Sequence, residues 1–165
     1  MIRLYNQDCI EAMRNMKDDE FDLGIVDPPY GLGKRTTDGG GTNSQTKFMK
    51  DIRRSNWDNE IPSDEYFYQL KRVCKNYIIW GGNYFPLSCY RTFIVWEKEN
   101  PLPTMSQVEL AVTSFDKPAR IVKISSRQED RIHPTQKPIG LYCWLLQRYA
   151  NQGDKILDTH LGSGS

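Results

Sequence analysis

The sequence predicts a layered α/β domain built around a mostly parallel β-sheet. Three observations carry that prediction. Apolar runs of strand length alternate along the chain with segments of helical period. Gly, Pro and Asn clusters punctuate those runs. The two most unusual loops begin where apolar runs end, after Val26 and after Asp158. In open α/β sheets, ligands bind beyond the carboxyl ends of the strands.

The elements follow in order. Residues 2–5 read as a short strand. Residues 9–16 carry Ile10, Met13 and Met16 at helical spacing, with Asp8 placed as the N-cap. Residues 21–26 read as a buried strand, stopped by Asp27-Pro28-Pro29-Tyr30, because two successive prolines cannot continue a ladder. Residues 31–56 hold five glycines, with six basic residues (Lys34, Arg35, Lys47, Lys50, Arg53, Arg54) against Asp38 and Asp51, a local net of 6 − 2 = +4. They read as a long mobile loop, which in a compact domain is functional or merely solvated. Ser63 caps a helix with Tyr66, Phe67, Leu70 and Val73 on one face. Residues 77–80 form a strand stopped by Gly81-Gly82-Asn83, and residues 92–96 form another. Residues 108–114 and 119–124 are strand-like, and the Asp116-Lys117-Pro118 turn between them predicts a hairpin with antiparallel pairing at one edge. Residues 138–149 form a helix with Pro at its start and Gly153 past its end. Residues 155–158 are the last strand.

Composition bounds the function. The 165 residues suit one domain, with no boundary within 1–165. Lys plus Arg is 22 against 21 for Asp plus Glu, a net of +1, which excludes a globally basic coat protein or an acidic disordered tail. No apolar window approaches the ~18 residues of a membrane span, and the first residues carry no signal-peptide pattern. The cysteines, at 9, 74, 89 and 143, lack zinc spacing, and with only two histidines no metal site is expected. They read as buried free thiols in a reducing cytoplasm.

Three segments carry chemistry. In Asp27-Pro28-Pro29-Tyr30 the prolines stiffen the backbone and remove two donors, leaving carbonyl acceptors beside the Asp27 carboxylate and the flat ring of Tyr30. That set suits a planar heterocycle with an exocyclic amine. The ring stacks on Tyr30 while Asp27 and the Pro28 carbonyl accept the amine hydrogens, turning the nitrogen lone pair toward an electrophile. A plain strand-ending turn is the competing reading. In Asp158-Thr159-His160-Leu161-Gly162-Ser163-Gly164-Ser165, glycines allow backbone amides close to a ligand, and the acid at the strand tip can meet a cationic amine. A frayed tail is the alternative there. His133-Pro134-Thr135-Gln136-Lys137-Pro138 opens a helix whose positive end can hold a carboxylate, with His133 itself read as a structural residue.

Together, in this order, the three segments resemble the amino-methylating DNA methyltransferases that use S-adenosylmethionine, in the permuted β class. There D-P-P-Y precedes D-P-F-x-G-S-G-T, with H-P-T-Q-K-P shortly before the latter. Asp8-Cys9, Gly81-Gly82-Asn83-Tyr84-Phe85 and Trp96-Glu97-Lys98 match as well. The resemblance implies a Rossmann-like methyltransferase fold, mostly parallel with an antiparallel edge, and S-adenosyl-L-methionine as cofactor. It implies that Asp27, Pro28, Pro29 and Tyr30 are catalytic, holding a flipped adenine for direct methyl transfer to N6. Asp8 and Cys9 would contact the cofactor adenine. Thr135, Gln136, Lys137 and Pro138, with Asp158, His160, Gly162, Ser163 and Gly164, would line its methionine side, and Asp27 would border both ligands. Asp rather than Ser at position 27 favours adenine over N4 of cytosine.

The sequence also departs from the family. Thr159-His160 replaces Pro-Phe. The chain stops inside the Gly-rich loop, so the expected fold is truncated there, and a catalytically inactive DNA-binding remnant is the rival reading. The stretch between Trp96 and His133 is short for a target-recognition region. Contacts to double-stranded DNA are therefore expected from Lys34, Arg35, Lys47, Arg53 and Arg54, from the basic stretch 117–137, or from a second subunit of a homodimer. A cognate restriction endonuclease is a further expected partner. No membrane and no metal are expected, in a bacterial or phage cytoplasm.

Overall fold

The computed structural model describes residues 1–33, 58–88, 91–99, 101, 106–126 and 136–162. Most of the 31–56 loop and its basic residues lie outside them. Helix α1 spans Cys9–Arg14, α2 Asp64–Val73 and α3 Ile139–Tyr149. The strands are β1 Phe21–Val26, β2 Cys74–Trp80, β3 Phe93–Glu99, β4 Val108–Thr113, β5 Arg120–Ser125 and β6 Ile156–Leu157. A 3-10 turn, Gly82–Tyr84, follows β2.

The six strands form one sheet in the order β5-β3-β4-β2-β1-β6. β1 pairs in parallel with both β2 and β6, and β3 with β5, while β4 runs antiparallel to its neighbours β2 and β3. Five described strands therefore share one direction, and the antiparallel pairing lies toward the β5 edge. The predicted hairpin is corrected in one respect. β4 and β5 do not pair with each other, because β3 lies between them and takes both as neighbours. The turn at 116–118 therefore carries the chain past the end of β3. Thr92 clasps that turn: its hydroxyl donates to the Lys117 carbonyl and accepts from the Lys117 amide.

The run of apolar residues in β1 and β2 is explained by helices on both faces. Leu23, Ile25, Ile78 and Trp80 point to one side, where Leu141, Leu145 and Tyr149 of α3 pack with Ile94 and Trp96. Val26, Tyr77 and Ile79 point to the other, under Met13 of α1 and Tyr66, Phe67, Leu70 and Val73 of α2. The predicted caps form: Asp8 accepts from the amides of Ile10 and Glu11, and Ser63 from Tyr66. Arg72 ties α2 to α1 by donating to the carbonyls of Met13 and Met16.

The strand predicted at residues 2–5 is absent. Ile2, Leu4 and Tyr5 are exposed, and the outermost described strand, β6, pairs only with β1. Without a ladder partner, an alternating apolar tetrapeptide gains nothing from the extended state. No helix among the described residues is long and apolar enough to cross a membrane.

Candidate active site

The two chemistry-bearing loops leave the carboxyl ends of β1 and β6, which are adjacent and parallel. The fold thus brings together segments about 130 residues apart in sequence, as the register Gly24 against Leu157 requires.

Asp27 follows β1 directly. Its Oδ1 accepts from the Tyr30 hydroxyl at 2.6 Å, and its Oδ2 lies 2.5 Å from the Lys137 ammonium. Lys137 is buried, 4% exposed. It also donates to the Tyr30 oxygen at 3.1 Å and pairs with Glu109 at 3.2 Å. The other Glu109 oxygen is held by Lys98 at 2.6 Å. A chain of alternating charge therefore runs Lys98, Glu109, Lys137, Asp27. Burial works against the Lys137 ammonium, but Asp27 and then Glu109 outweigh it and raise its pKa. Burial likewise opposes the Glu109 charge, and Lys137 with Lys98 holds its carboxyl below the usual range. Burial, then Asp27 and Glu109, push the Tyr30 phenol well up, so it stays protonated and donates.

One face of the Tyr30 ring carries Tyr84, with centroids 4.9 Å apart and planes at 17°, and Phe85 meets the ring edge-on. The ring also lies against Gly81, whose φ of +72° few side chains tolerate. Here the Gly81-Gly82-Asn83-Tyr84-Phe85 segment gains a physical reason: it seats the Tyr30 ring.

Asp58 was not singled out by sequence. It is 4% exposed, and its Oδ1 accepts from the amides of Tyr30 at 2.6 Å and Gly31 at 3.0 Å, while its carbonyl accepts from Gly33. It fixes the backbone turn that presents Tyr30. Asp58→Ala should cost about 1–3 kcal/mol, since it strips the acceptor from two part-buried amides. Asp58→Asn, which keeps one acceptor oxygen, should cost less. Hydrogen exchange at the Tyr30 and Gly31 amides checks this, with rates up by about tenfold or more in the alanine variant. Unchanged exchange would show that the clamp does not hold the turn.

The β6 loop faces this cluster. Asp158 accepts from the His160 amide at 2.9 Å. Its side chain opens to solvent, yet protein surrounds it on most sides, and that desolvation, with a smaller push from Asp27, raises its pKa to about 6. Burial pushes the His160 imidazole down, against Asp27 and Asp8. Thr159 shares hydrogen bonds with the Tyr66 hydroxyl at 2.7 Å and His160 Nδ1 at 2.9 Å, and the His160 ring stands edge-on to Tyr66. Cys9 adds to the upward push on the Tyr66 phenol. Asp8 and Cys9, at the start of α1, thus stand near enough to His160 and Tyr66 for their charges to act there. Tyr142 of α3, unmarked by sequence, stands near enough for Asp27 and Asp158 to add to the burial that keeps it protonated.

Pro28 is buried and Pro29 half-buried between the strand end and Tyr30. Gln136, Lys137 and Pro138 lead into α3, whose first turn has no side-chain cap. Gly162 takes φ +57°, closing the described part of the loop. Thr135, His133, Ser163, Gly164 and the five predicted DNA contacts, Lys34, Arg35, Lys47, Arg53 and Arg54, lie outside the described residues. Glu109 had a visible sign, an acid within the apolar run of residues 108–113. Asp58 had none, since its partners are backbone amides 27 and 28 residues away.

No family model matches the chain. The chain is 24% identical to the type II methyltransferase M2.MboI of Moraxella bovis, over 98% of this chain and 76% of that protein. It is 25% identical to the type II methyltransferase M.HpaI of Haemophilus parainfluenzae, over 99% of this chain, and spans 64% of that relative's length. Among solved structures it is similar to TTHA0409 of Thermus thermophilus, assigned as a DNA modification methylase. The TM-score is 0.56 at 18% identity, covering 99% of this chain and 81% of that one. TTHA0409 complexed with S-adenosyl-L-methionine gives 0.50 at 16% identity, covering 95% of this chain and 79% of that one. The similarity to these methyltransferases therefore extends over 95–99% of the chain.

Proposed function

From that resemblance to the DNA amino-methyltransferases as premise, we propose that the chain is an S-adenosylmethionine-dependent DNA methyltransferase acting on N6 of a flipped adenine. One observation carries the proposal: Asp27 follows β1 and Asp158 and His160 follow the adjacent parallel strand β6, near enough for the Asp27 charge to act on both.

The residues fit the cofactor. Asp158 offers a carboxylate to the ammonium of the methionine portion. The first turn of α3, whose N-cap Pro138 makes no side-chain hydrogen bond, offers amides to its carboxylate. Asp8, Cys9 and His160 border the side where the adenosine portion would lie. When bound, the cofactor supplies an electrophilic methyl group on sulfonium. The chain's own part is positioning and acceptance. Asp27, with the Pro28 carbonyl, accepts the amine hydrogens and orients the nitrogen lone pair. Tyr30 and Tyr84 supply flat surfaces for the base. Flipping is required because N6 is out of reach inside the duplex. Adenine rather than cytosine rests on the carboxylate at position 27. Double-stranded DNA is the partner, met through Lys34, Arg35, Lys47, Arg53 and Arg54.

Calorimetric titration of S-adenosylmethionine into the 165-residue chain tests the reading, followed by mass spectrometry of nucleosides from treated DNA. Saturable binding and N6-methyladenine are expected. Because the Asp158 pKa is raised to about 6, its carboxyl is neutral below that pH and cannot pair with a cation. Affinity should thus fall by about tenfold from pH 7 to pH 5, and Asp158→Asn should flatten that dependence. A folded chain that binds no cofactor overturns the reading, and N4-methylcytosine as the product overturns its adenine part.

A further inference from the structure

We propose that Lys137 is a placeholder for the substrate amine: its ammonium occupies the Asp27 carboxylate in the resting site and is handed to Glu109 when a base arrives. The inference rests on the methyltransferase reading and assigns Lys137 to the base side of the crevice rather than to the cofactor.

The geometry points there in three ways. Three oxygens lie around the Lys137 nitrogen, Asp27 at 2.5 Å, Tyr30 at 3.1 Å and Glu109 at 3.2 Å, and the Glu109 oxygen is buried without a hydrogen bond, a second seat not yet filled. The nitrogen lies over the rings of Tyr30 and Trp80, at 5.6 and 5.4 Å from their centroids. An N–H donor therefore already stands where an exocyclic amine must present its own hydrogens, on the carboxylate that must accept them. Both Asp27 oxygens have partners in the resting site, so an incoming amine competes with one of them.

Glu109 makes the exchange possible. A buried ammonium stripped of its anion is severely destabilising. Lys137, however, is already within reach of a second carboxylate, and rotation of its terminal bonds moves the nitrogen between the two. Lys98 sets the balance by drawing on the far Glu109 oxygen. In the loaded site the amine hydrogens pair with Asp27 and the ammonium with Glu109, so no buried charge is left alone. In the resting site Lys137 and Tyr30 satisfy Asp27 themselves.

The test compares Glu109→Gln, Lys98→Met and Lys137→Met with the wild-type chain, reading cofactor Kd by calorimetry and steady-state methylation of duplex DNA. Glu109→Gln removes the second seat, so the KM for DNA should rise by about tenfold or more with the cofactor Kd within about twofold. Lys98→Met frees Glu109 to attract Lys137, so the KM should move the opposite way. A merely structural charge cluster would instead worsen both. Where Glu109→Gln fails to fold, Glu109→Asp keeps the anion and should show the same split in smaller measure. Unaltered DNA kinetics in either Glu109 variant overturns the placeholder. So does a tenfold or greater loss of cofactor affinity in Lys137→Met, which would return Lys137 to the cofactor pocket. A wild-type chain that neither binds cofactor nor methylates DNA sinks the methyltransferase reading itself, a result distinct from a working enzyme indifferent to Glu109.

Discussion

Asp27→Asn is expected to lower methyl transfer by about 10²–10³-fold, the scale on which removing one preorganised electrostatic partner acts. The cofactor Kd should stay within about twofold, since the amide keeps the shape of the side chain. Alanine would be a blunter probe, because it also empties space beside Tyr30. In the asparagine variant one end of the amide is a donor. That donor faces either the Tyr30 hydroxyl or the Lys137 ammonium, both of which donate to Asp27 in the native site. A fixed carboxylate able to accept from two directions becomes a group with one accepting oxygen. Lys137 keeps Glu109 as its remaining anion, so the fold should survive with a loss of about 1–3 kcal/mol. Single-turnover methylation with saturating cofactor measures the chemical effect, and a thermal melt measures the rest. Near-normal turnover would remove Asp27 from the mechanism.

Gly81→Ala should be the most damaging conservative change among the described residues of the site. A Cβ on Gly81 would stand 2.2 Å from Cε1 and 2.5 Å from Cδ1 of Tyr30. The ring cannot retreat cheaply, since its hydroxyl is tied to Asp27 and its face to Tyr84. The backbone at φ +72° adds its own cost for any residue with a Cβ. Left-handed strain of about 1–2 kcal/mol and overpacking of about 1–3 kcal/mol give a total of about 2–5 kcal/mol. For a domain of this size that lowers the melting temperature by about 4–20 °C. The two causes separate in a double-mutant cycle. In a Tyr30→Ala background the overpacking vanishes and only the backbone cost, about 1–2 kcal/mol, should remain. Equal losses in both backgrounds would mean that Gly81 matters to the turn alone and not to the seat of Tyr30.

The contrast between what was legible and what was not follows the range of the interactions. α1 with its Asp8 cap, α2 with its Ser63 cap, and β1 with its stop at Asp27 are local patterns, and the sequence predicts them. Residues 2–5 have the local pattern of a strand but no described partner, and a strand is a property of two segments. Residues 108–125 contain two strands and a turn, which locally read as a hairpin. The placement of β3 between them depends on pairings such as Val95 with Ile121, which no local pattern encodes. The site divides in the same way. Asp27, Tyr30 and Asp158 stand in motifs tied to strand tips and are visible. Asp58, Glu109 and Tyr142 enter through contacts across the fold. Lys137 was visible as a motif residue, but its Asp27 and Glu109 partners depend on where α3 begins relative to β1 and β4.

The position of β6 also has a consequence for how the molecule is made. β6 lies beside β1 at residues 156–157, while every other described strand is complete by residue 125. During synthesis the rest of the sheet can be assembled while the outer edge of β1 is still bare. Closing that gap joins segments about 130 residues apart, and long-range parallel pairing of this kind is slow relative to local contacts. The nascent chain thus passes through a stage with its Asp27 turn formed and the opposite wall of the crevice missing. An exposed strand edge of that kind invites pairing with other chains. The rate at which residues 156–157 dock therefore sets how long each newly made molecule is open to aggregation.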